Sequence, residues 1–372
     1  MPDPDHAKAA SAHTKRKNVF RPMLPPGFFD EEQQRAMLTA CGDPLVTLNT
    51  LINWEIFRPR LIKIFKKQPE EKTPGRKPID PVIMFKILIL QRLYALSDEQ
   101  AEFQIRDRAS FQRFLGIYAG NGSPDARTIW LFRERLHADN VAGDLFLVFD
   151  ETLAAHGMHA RGGQMIDASF VEVPRQRNTR EENAGIKAGK VPEEWQNQPA
   201  KLAQKDVDAR WAKKGDENHF GYKNHINADA KNKLIRSYVV TAASVHDSKM
   251  LSEVLLPAHE GKRVYADSAY RSAEFDAALC EGLYVNKICR KGRRNAPLTK
   301  QHESWNHLWS QTRCRVEHIF GAMFQTKRGK AHLLYIGYDR VVTATGLANL
   351  TYNIQRFLQL LKIGEERSAV SG

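Results

Sequence analysis

Cysteine is scarce in this sequence. The 372 residues include four cysteines, and no two of them form a CxxC pair. Four thiols in a chain of this length do not make the disulfide framework that holds small secreted domains together. We therefore expect Cys41, Cys280, Cys289 and Cys314 to be reduced and buried, as small hydrophobic residues.

Long apolar runs are also missing. The N-terminal letters MPDPD are not followed by the apolar segment of a secretion signal. The most apolar stretch, residues 82–94, is interrupted by Lys86, Gln91 and Arg92, which argues against a membrane-spanning helix. We expect a cytoplasmic protein without a membrane partner.

Acidic residues are the minority among the charged side chains. Asp and Glu total 43 against 56 Lys and Arg, which gives a formal net charge of +13 and a pI near 9.5. This surplus favours a polyanionic partner over a small neutral substrate, although a merely soluble basic protein could have the same composition. With 42% hydrophobic residues, the chain is long enough to bury one large core and a second small one.

The residue types divide the chain into four parts. Residues 1–44 carry several prolines and the basic letters KRK with little periodicity, and we expect a flexible basic arm there. We expect a helical domain over residues 45–160, an α/β domain over residues 161–362 and a tail over residues 363–372.

Helix-start signals recur in the second part. Asp80 precedes a proline and an apolar run, Ser97 stands three residues before Gln100 as in a capping box, and Ser123 precedes a proline ahead of apolar residues at helical spacing. Six arginines accompany these helices. They fit equally well the phosphate and base contacts of a helix-turn-helix DNA reader or the solvated faces of an ordinary bundle. These are Arg106, Arg108, Arg113, Arg127, Arg133 and Arg135.

After residue 162 the pattern changes to short strands. The segments GQMIDASFVEV, HFGYKNHINAD, KLIRSYVVTAAS, RVYADSAY and GLYVNKIC predict a mixed sheet with flanking helices. Residues 175–218 form a polar inserted segment between the first two strands, and segments of this length are functional or disordered. Its Trp195 and Trp211 are candidates for stacking on unpaired bases, although covering apolar surface is the commoner use of such residues.

Three carboxylates occur in apolar surroundings. Asp167 interrupts the first predicted strand, Asp267 ends a later one, and Glu317 lies at the edge of an apolar stripe on a predicted helix, four residues after Arg313. A buried carboxylate is costly unless it is paired or faces a cation. Taken alone, each aspartate could simply cap a turn at the end of a strand. Glu317 could form an intrahelical ion pair with Arg313, although Arg before Glu is the less favourable order for such a pair.

Together the three carboxylates meet the requirements of a two-metal site. Mg²⁺ prefers oxygen ligands, and two ions about 4 Å apart can activate a nucleophile and stabilise the leaving oxygen of an in-line displacement at phosphorus. The bond that such a site would break is a phosphodiester. Because the protein is basic, we expect its substrate to be nucleic acid.

Five motifs carry a resemblance to a known family. The segments MIDASFV, HFGYKNH, ASVHDSKML, YADSAYRS and RCRVEHIFG resemble, in this order and spacing, those of the bacterial insertion-sequence DDE transposases of the IS-four and IS-five grouping. The segment GRKPIDPVIMFKILILQRLYALSDEQ resembles the helical domain that precedes catalysis in the IS-five type. The resemblance covers about residues 44–360. It implies an α/β fold with an RNase H-like mixed sheet flanked by helices, preceded by a small all-helical domain that binds DNA.

The resemblance also assigns roles to individual residues. Asp167, Asp267 and Glu317 match the metal-binding carboxylates, which implies two Mg²⁺ ions per site, or Mn²⁺ in their place. Arg313 matches the arginine four residues before the glutamate. A related signature has a phosphate-contacting lysine seven residues after the glutamate. This chain has Phe324 at that position, and its nearest lysine is Lys327.

Other basic residues are candidates for DNA contact. A run of five positive charges without an acid favours nonspecific phosphate binding, and it consists of Lys287, Arg290, Lys291, Arg293 and Arg294. Lys223 could touch phosphate or lie on a solvated strand face. His246 and Asp247 follow a strand, where they either neighbour the metal site or form a simple turn.

The implied function is that of a Mg²⁺-dependent DNA transposase. Such an enzyme hydrolyses a phosphodiester at the end of its element and directs the exposed 3′-OH against target DNA. The resemblance implies a homo-oligomer, at least a dimer, on double-stranded DNA, and hence a nucleoid-associated protein. The alternatives are an RNase H-like nuclease without strand transfer and a catalytically inert DNA-binding regulator; the presence of all three carboxylates argues against the regulator.

Overall fold

The computed structural model describes residues 30–65, 77–117, 122–158, 162–294, 296–323 and 335–371. Backbone contacts group the chain into two units, residues 1–43 and 44–372. In the first unit, helix α1 (Asp30–Ala40) forms where the sequence predicted a flexible arm. The basic letters KRK of that arm lie outside the described residues.

Helices make up the early part of the second unit. They are α2 (Pro44–Leu51), α3 (Arg58–Leu61), α4 (Pro81–Tyr94), α5 (Asp98–Asp107), α6 (Ala109–Leu115), α7 (Ala126–Ala138) and α8 (Val141–Ala155). Asp80 caps α4, and Ser97 and Gln100 form the capping box of α5, as predicted. The cap of α7 is Asp125 instead of the predicted Ser123, because the Asp125 side chain accepts the hydrogen bond that closes the first turn.

A mixed sheet follows. Within the described residues it has six strands. They are β1 (Gln164–Glu172), β2 (Arg210–Lys214), β3 (Glu217–Asp229), β4 (Ile235–Ala242), β5 (Arg263–Tyr265) and β6 (Val285–Asn286).

Strand β1 lies at the centre of this sheet. It pairs antiparallel with β3 on one side and parallel with β5 on the other; β3 also pairs antiparallel with β2 and β4, and β5 pairs parallel with β6. Together with the preceding helices, this arrangement confirms the predicted fold class, an RNase H-like mixed sheet with a helical N-terminal region. Strand β2 was not predicted, since its polar letters RWAKK form an exposed edge without an apolar alternation.

Further helices connect and cover the strands. They are α9 (Arg180–Lys187), α10 (Glu193–Gln196), α11 (Pro199–Leu202), α12 (Leu251–Val254), α13 (Ala273–Glu281), α14 (Lys300–Arg313), α15 (Arg315–Met323) and α16 (Tyr338–Ser371). One hydrophobic core joins buried residues of α2 to α8 with residues of β1, β3, α15 and α16. The helical region and the sheet therefore share a core, and the expected domain boundary near residue 160 stays a prediction.

The inserted segment is folded and anchored to the sheet. Trp195 is fully buried, and its indole Nε1 donates a hydrogen bond to Glu182 at 2.9 Å. Asp206 is also buried, and its carboxylate accepts hydrogen bonds from the Tyr222 hydroxyl of β3 at 2.6 Å and from Gly337 N at 3.0 Å. Trp195 is therefore not accessible for stacking on bases, whereas Trp211 on β2 is 49% exposed.

Two expectations about individual side chains need correction. Arg133 is an internal residue that pairs with Asp98 and donates to Tyr335, so it fits neither a DNA contact nor a solvated face. All four cysteines are free thiols, but Cys41 and Cys280 are exposed, against the prediction that all are buried. In the described part of the chain, no helix is both long enough and apolar enough to cross a membrane.

Candidate active site

The register of two parallel strands aligns Asp167 with Asp267. Strand β1 pairs with β5 through Met165 and Tyr265, and each aspartate stands two residues beyond that pair. Because parallel strands run in the same direction, both chains leave the pair toward the same end of the sheet. Strand β5 ends at Tyr265, so Asp167 lies beyond the part of β1 that pairs with β5.

Asp267 starts the turn that follows β5. Its Oδ1 accepts a hydrogen bond from Ser268 N at 2.5 Å, and Asp267 thereby caps the 3₁₀ turn Ser268–Tyr270. The turn-capping alternative is therefore correct for this residue. The side chain is nevertheless exposed, and its Oδ2 accepts no hydrogen bond from the residues that the structure describes, which leaves one oxygen free to bind a cation.

Asp167 lies in a more enclosed environment. Its side chain is 21% exposed. Burial raises the pKa of Asp167 to about 6, and nearby Asp267 adds to the rise, whereas the hydrogen bond from Ala168 N at 2.8 Å and the charges of Arg313 and Lys214 oppose it. When burial and a like charge raise the pKa of a carboxyl group in this way, a cation that binds beside it stabilises its ionised form.

Arg313 links Asp167 to Glu317. Its Nη1 lies 3.4 Å from Asp167 Oδ2, and its Nη2 lies 3.8 Å from Glu317 Oε1. The predicted single helix is in fact broken at Cys314 into α14 and α15, and Glu317 lies in the first turn of α15 with its side chain 67% exposed. The Arg313–Glu317 ion pair therefore exists, but it spans the break between α14 and α15 instead of lying within one helix, and the same guanidinium reaches the strand carboxylate.

Packing fixes α15 on the sheet. Val316 and Ile319 are fully buried in the core that also contains Met165 of β1. Since side chains alternate along a strand, Met165 and Asp167 point to the same face. Glu317, next to Val316, is thus held at the rim of the face that bears Asp167.

The carboxylates are not gathered into a finished metal site. Among the residues that the structure describes, no three His, Cys, Asp or Glu side chains are grouped so that they could hold a metal ion. The donor set nevertheless fits Mg²⁺ or Mn²⁺, since it consists of carboxylate oxygens and two of the three carboxylates already contact one cationic side chain. The three-carboxylate site stays a prediction.

Lys223 and Asp247 form an ion pair next to this region. The Lys223 ammonium lies 2.7 Å from Asp247 Oδ1 and donates to Val245 O at 2.8 Å, and its side chain is 11% exposed. Its charge is therefore neutralised within the protein, and its contact with DNA stays a prediction. His246 caps the 3₁₀ turn Asp247–Met250, so the His-Asp pair does form a turn, and its role beside a metal site stays a prediction.

The basic run divides into an anchored part and an exposed part. Lys287 lies 5.2 Å from the ring of Trp309, and Arg290 lies 5.6 Å from the ring of Trp305, both on α14. The two indoles are themselves stacked, with centroids 6.0 Å apart. The exposed side chains belong to Lys291, Arg293 and Arg294.

Two residues near the carboxylates were missed from the sequence. The charge of Lys214, at the end of β2, favours ionisation of Asp167, but β2 itself was not predicted. Tyr270 is 1% exposed, and its hydroxyl has no hydrogen-bond partner in the described residues. Its only sequence signal was its place three residues after Asp267 in the letters YADSAYRS.

Two family models match this chain. The model of the family described as "Transposase DDE domain" matches residues 159–354, which include Asp167, Asp267, Arg313 and Glu317. The model described as "Transposase domain (DUF772)" matches residues 32–135. A cryo-EM structure of a piggyBac transposase synaptic complex with hairpin DNA is similar over 82% of this chain and 74% of its own, with 11% identity and a TM-score of 0.42.

Proposed function

This chain belongs to the family of DDE transposases, and we propose that it is the divalent-metal-dependent enzyme that cuts and joins the ends of its own insertion element. The observation that supports this proposal best is the position of Arg313, which contacts both Asp167 and Glu317. Asp267, in the turn that follows the neighbouring strand β5, stands two residues beyond the Met165–Tyr265 pair, as Asp167 does. Two carboxylates that share one cationic partner, with a third beside them, are suited to bind Mg²⁺ or Mn²⁺.

The protein residues have separate tasks in this proposal. Asp167, Asp267 and Glu317 would hold two metal ions, which when bound would activate the attacking oxygen and stabilise the leaving oxygen. Before metal binds, Arg313 limits the repulsion between Asp167 and Glu317. The capping bond from Ser268 N orients Asp267 and leaves its second oxygen for the ion.

The exposed basic residues would guide DNA to this site. Cys289 N, within the basic run, donates to Ala266 O at 3.1 Å, so the run passes beside the residue that precedes Asp267. Hydrogen bonds between Arg293 and Ala296 close this run into a turn. Lysine and arginine side chains here would bind phosphates irrespective of sequence, whereas we assign recognition of the element ends to residues 45–160.

Hydrolysis and strand transfer need the same arrangement. In hydrolysis, water attacks phosphorus and a 3′-OH departs; in strand transfer, that 3′-OH attacks a target phosphodiester and another 3′-oxygen departs. Both steps are in-line displacements, so one set of carboxylates serves both. A homo-oligomer of at least two protomers would bring two element ends together.

A product analysis tests this function. The full chain is incubated with an end-labelled duplex that carries the DNA flanking its gene, in Mg²⁺, Mn²⁺ or Ca²⁺. We expect nicked and then joined products in Mg²⁺ and Mn²⁺. Nicks without joined products would indicate a nuclease, and selective binding without any cut would indicate a regulator.

A further inference from the structure

Three positively charged side chains meet at the turn between β3 and β4. Lys233 belongs to the turn itself, and Arg315 of α15 and Arg356 of α16 reach it from the helices. The Nη1 of Arg315 donates a hydrogen bond to Ala230 O at 2.8 Å, and the Nε of Arg356 donates one to Asn232 O at 2.7 Å. Both guanidinium groups are thus fixed on the backbone of one short turn, and we call the three cations the turn cluster.

The charges of the turn cluster repel one another. Burial lowers the pKa of Lys233, and the charges of Arg315 and Arg356 lower it further. Within the described residues, none of the three forms an ion pair with a carboxylate. The acid that ends β3, Asp229, is buried, and its Oδ2 accepts a hydrogen bond from Asn232 N at 2.6 Å. The fold therefore holds three cations together without an internal counter-charge.

The backbone at Lys233 is also unfavourable for a lysine. Its φ of +59° lies in the left-handed region that favours glycine. Lys233 N donates to Asp229 O at 2.9 Å, and the Tyr352 hydroxyl donates to Lys233 O at 2.7 Å, so the surroundings hold this conformation. Glycine would form the same turn with less strain. The lysine at this position is therefore explained by its ammonium group and not by the turn.

The turn cluster has unused hydrogen-bond donors. Arg315 uses one N–H for Ala230 O, and Arg356 uses two, for Asn232 O and for Gln359 Oε1 at 3.1 Å. Most of the N–H donors of each guanidinium are therefore left for a ligand. The side chain of Arg315 is exposed, so a ligand has access from solvent. Guanidinium and ammonium groups of this kind bind phosphate oxygens through short, charge-assisted hydrogen bonds.

We propose that the turn cluster binds a backbone phosphate of DNA, at a site separate from the basic run that passes beside Asp267. The inference rests on the proposed function, which supplies DNA as the ligand. A phosphate would provide the counter-charge that the fold lacks and would accept hydrogen bonds from the unused donors. Such a contact positions the duplex and does not depend on its sequence.

The register of the sheet gives the distance between the two sites. Asp229, next to the turn, pairs with Gln164 of β1, three residues before Asp167. Three residues of a strand span roughly 10 Å. Since base pairs follow one another about every 3.4 Å, a duplex that runs along β1 would carry the bound phosphate roughly three base pairs from the phosphodiester at the carboxylates.

The first test is the salt dependence of DNA binding by the full chain. The variant combines Lys233→Gln, Arg315→Gln and Arg356→Gln. Fluorescence anisotropy with an element-end duplex is measured in EDTA, so that binding is observed without cleavage. Loss of the contacts should flatten the slope of log K against log salt by about 2 to 3. A slope equal to that of the wild type would overturn the inference.

A charge-matched control removes three other cations. It combines Lys231→Gln, Lys262→Gln and Arg263→Gln. Lys231 belongs to the same turn, but its Cβ lies against Gly162 at the start of β1. This control should keep the wild-type slope. If it flattens the slope as much as the first variant does, net charge alone explains the effect and the site is refuted.

Methylphosphonates test the same contact on the DNA and do not depend on how well a variant folds. Each one replaces a single charged phosphate by a neutral group, at successive positions on either side of the cleaved bond. We expect wild-type binding to weaken at a position roughly three base pairs away, and the triple glutamine variant to lose nothing further there. A scan in which wild-type affinity is the same at every position on that side would contradict the proposed contact.

Inorganic phosphate distinguishes a DNA site from a site for small anions. At equal ionic strength, it should raise the melting temperatures of the wild type and of Lys233→Gln by no more than sodium chloride does, because one free anion does not gain from the neighbouring contacts of a duplex. A large rise for the wild type alone, with unchanged DNA binding by the triple variant, would assign the turn cluster to a small anion instead. Cleavage in Mg²⁺ is scored separately: a wild type that binds DNA through the turn cluster but never cuts it would contradict the proposed function and leave the phosphate site standing.

Discussion

Asp167 and Asp267 lie level with each other, each two residues beyond the point where the parallel strands β1 and β5 pair through Met165 and Tyr265. One hundred residues separate them along the chain, and the register alone brings them together. Any change that shifts β5 along β1 by one residue would move Asp267 to a different level and face. The proposed metal site would therefore depend on the short parallel pairing as much as on the carboxylates themselves.

The exposed part of the basic run should contribute to the salt dependence of DNA binding. Each phosphate contact on duplex DNA adds roughly 0.9 to the slope of log K against log salt. Replacement of Lys291, Arg293 and Arg294 by alanine should therefore flatten the slope by about 2 to 3 and weaken binding to all sequences alike. Fluorescence anisotropy on matched duplexes between about 50 and 200 mM salt measures it.

A charge-matched control comes from the opposite end of β5. Lys231, Lys262 and Arg263 are exposed and lie near the start of β1 and β5, away from Asp267. Their replacement by alanine removes the same charge and should leave the slope nearly unchanged. Equal slopes for the wild type and the Lys291, Arg293 and Arg294 variant would refute the phosphate contacts.

His137 should make the folded state sensitive to acid. It is 5% exposed, and neither ring nitrogen forms a hydrogen bond to the described residues. Burial lowers the pKa of His137 to about 4, with Arg133 and Arg340 acting in the same direction and Glu134 against it. Between pH 6.5 and 4 the unfolded chain therefore binds more protons than the folded protein, so the free energy of unfolding falls as the pH falls.

Urea unfolding of His137→Phe at several pH values measures this effect. The contribution of the histidine should reach up to about 3 kcal/mol below pH 4, and the variant should lose that part of the pH dependence. His156→Gln, at an exposed histidine, is the control and should keep the wild-type profile. Parallel profiles for wild type and His137→Phe would show that His137 is not the group responsible.

Asp206 should be essential for holding the inserted segment on the sheet. It is 2% exposed and accepts hydrogen bonds from the Tyr222 hydroxyl and from the backbone N of Ala209 and Gly337. Asp206→Ala leaves these buried donors unpaired, and we expect a loss of about 3 kcal/mol in the free energy of unfolding. Exposed Asp208 provides the control, since Asp208→Ala should cost less than about 0.5 kcal/mol. A similar small loss for Asp206→Ala would contradict the anchor.

Local signals in the sequence predicted most of the elements but not how they pair. The apolar residues of the segment MIDASFV predicted strand β1. Asp80 and Ser97 predicted the starts of two helices. The polar strand β2 lacked such a signal because its side chains are largely exposed. The break at Cys314 also lacked one, since no glycine or proline marks it.

In the candidate site, too, the sequence indicated individual residues but not the contacts between them. Asp167, Asp267 and Glu317 stand out as charges in apolar surroundings, and their motifs resemble those of a family. That Arg313 reaches Asp167, or that Lys223 is neutralised by Asp247, depends on tertiary contacts between residues distant in sequence. Tyr270 was hidden for a different reason: a tyrosine after a strand is ordinary, and only its unpaired hydroxyl distinguishes it.

The most direct test of the three-carboxylate site is single-turnover cleavage, in Mg²⁺, of a labelled duplex that carries an element end. The variants are Asp167→Asn, Asp267→Asn and Glu317→Gln. These variants keep the shape of each side chain and remove its charge, and Glu274→Gln, at an exposed carboxylate on α13, is the control. We expect each of the three to cleave more than about 100-fold more slowly, since even groups that only orient a metal ligand cost about 10- to 100-fold. DNA affinity should stay near that of the wild type, because the carboxylates contribute no attraction to phosphate. Near-normal cleavage by any of the three would contradict the assignment of that residue to the metal site.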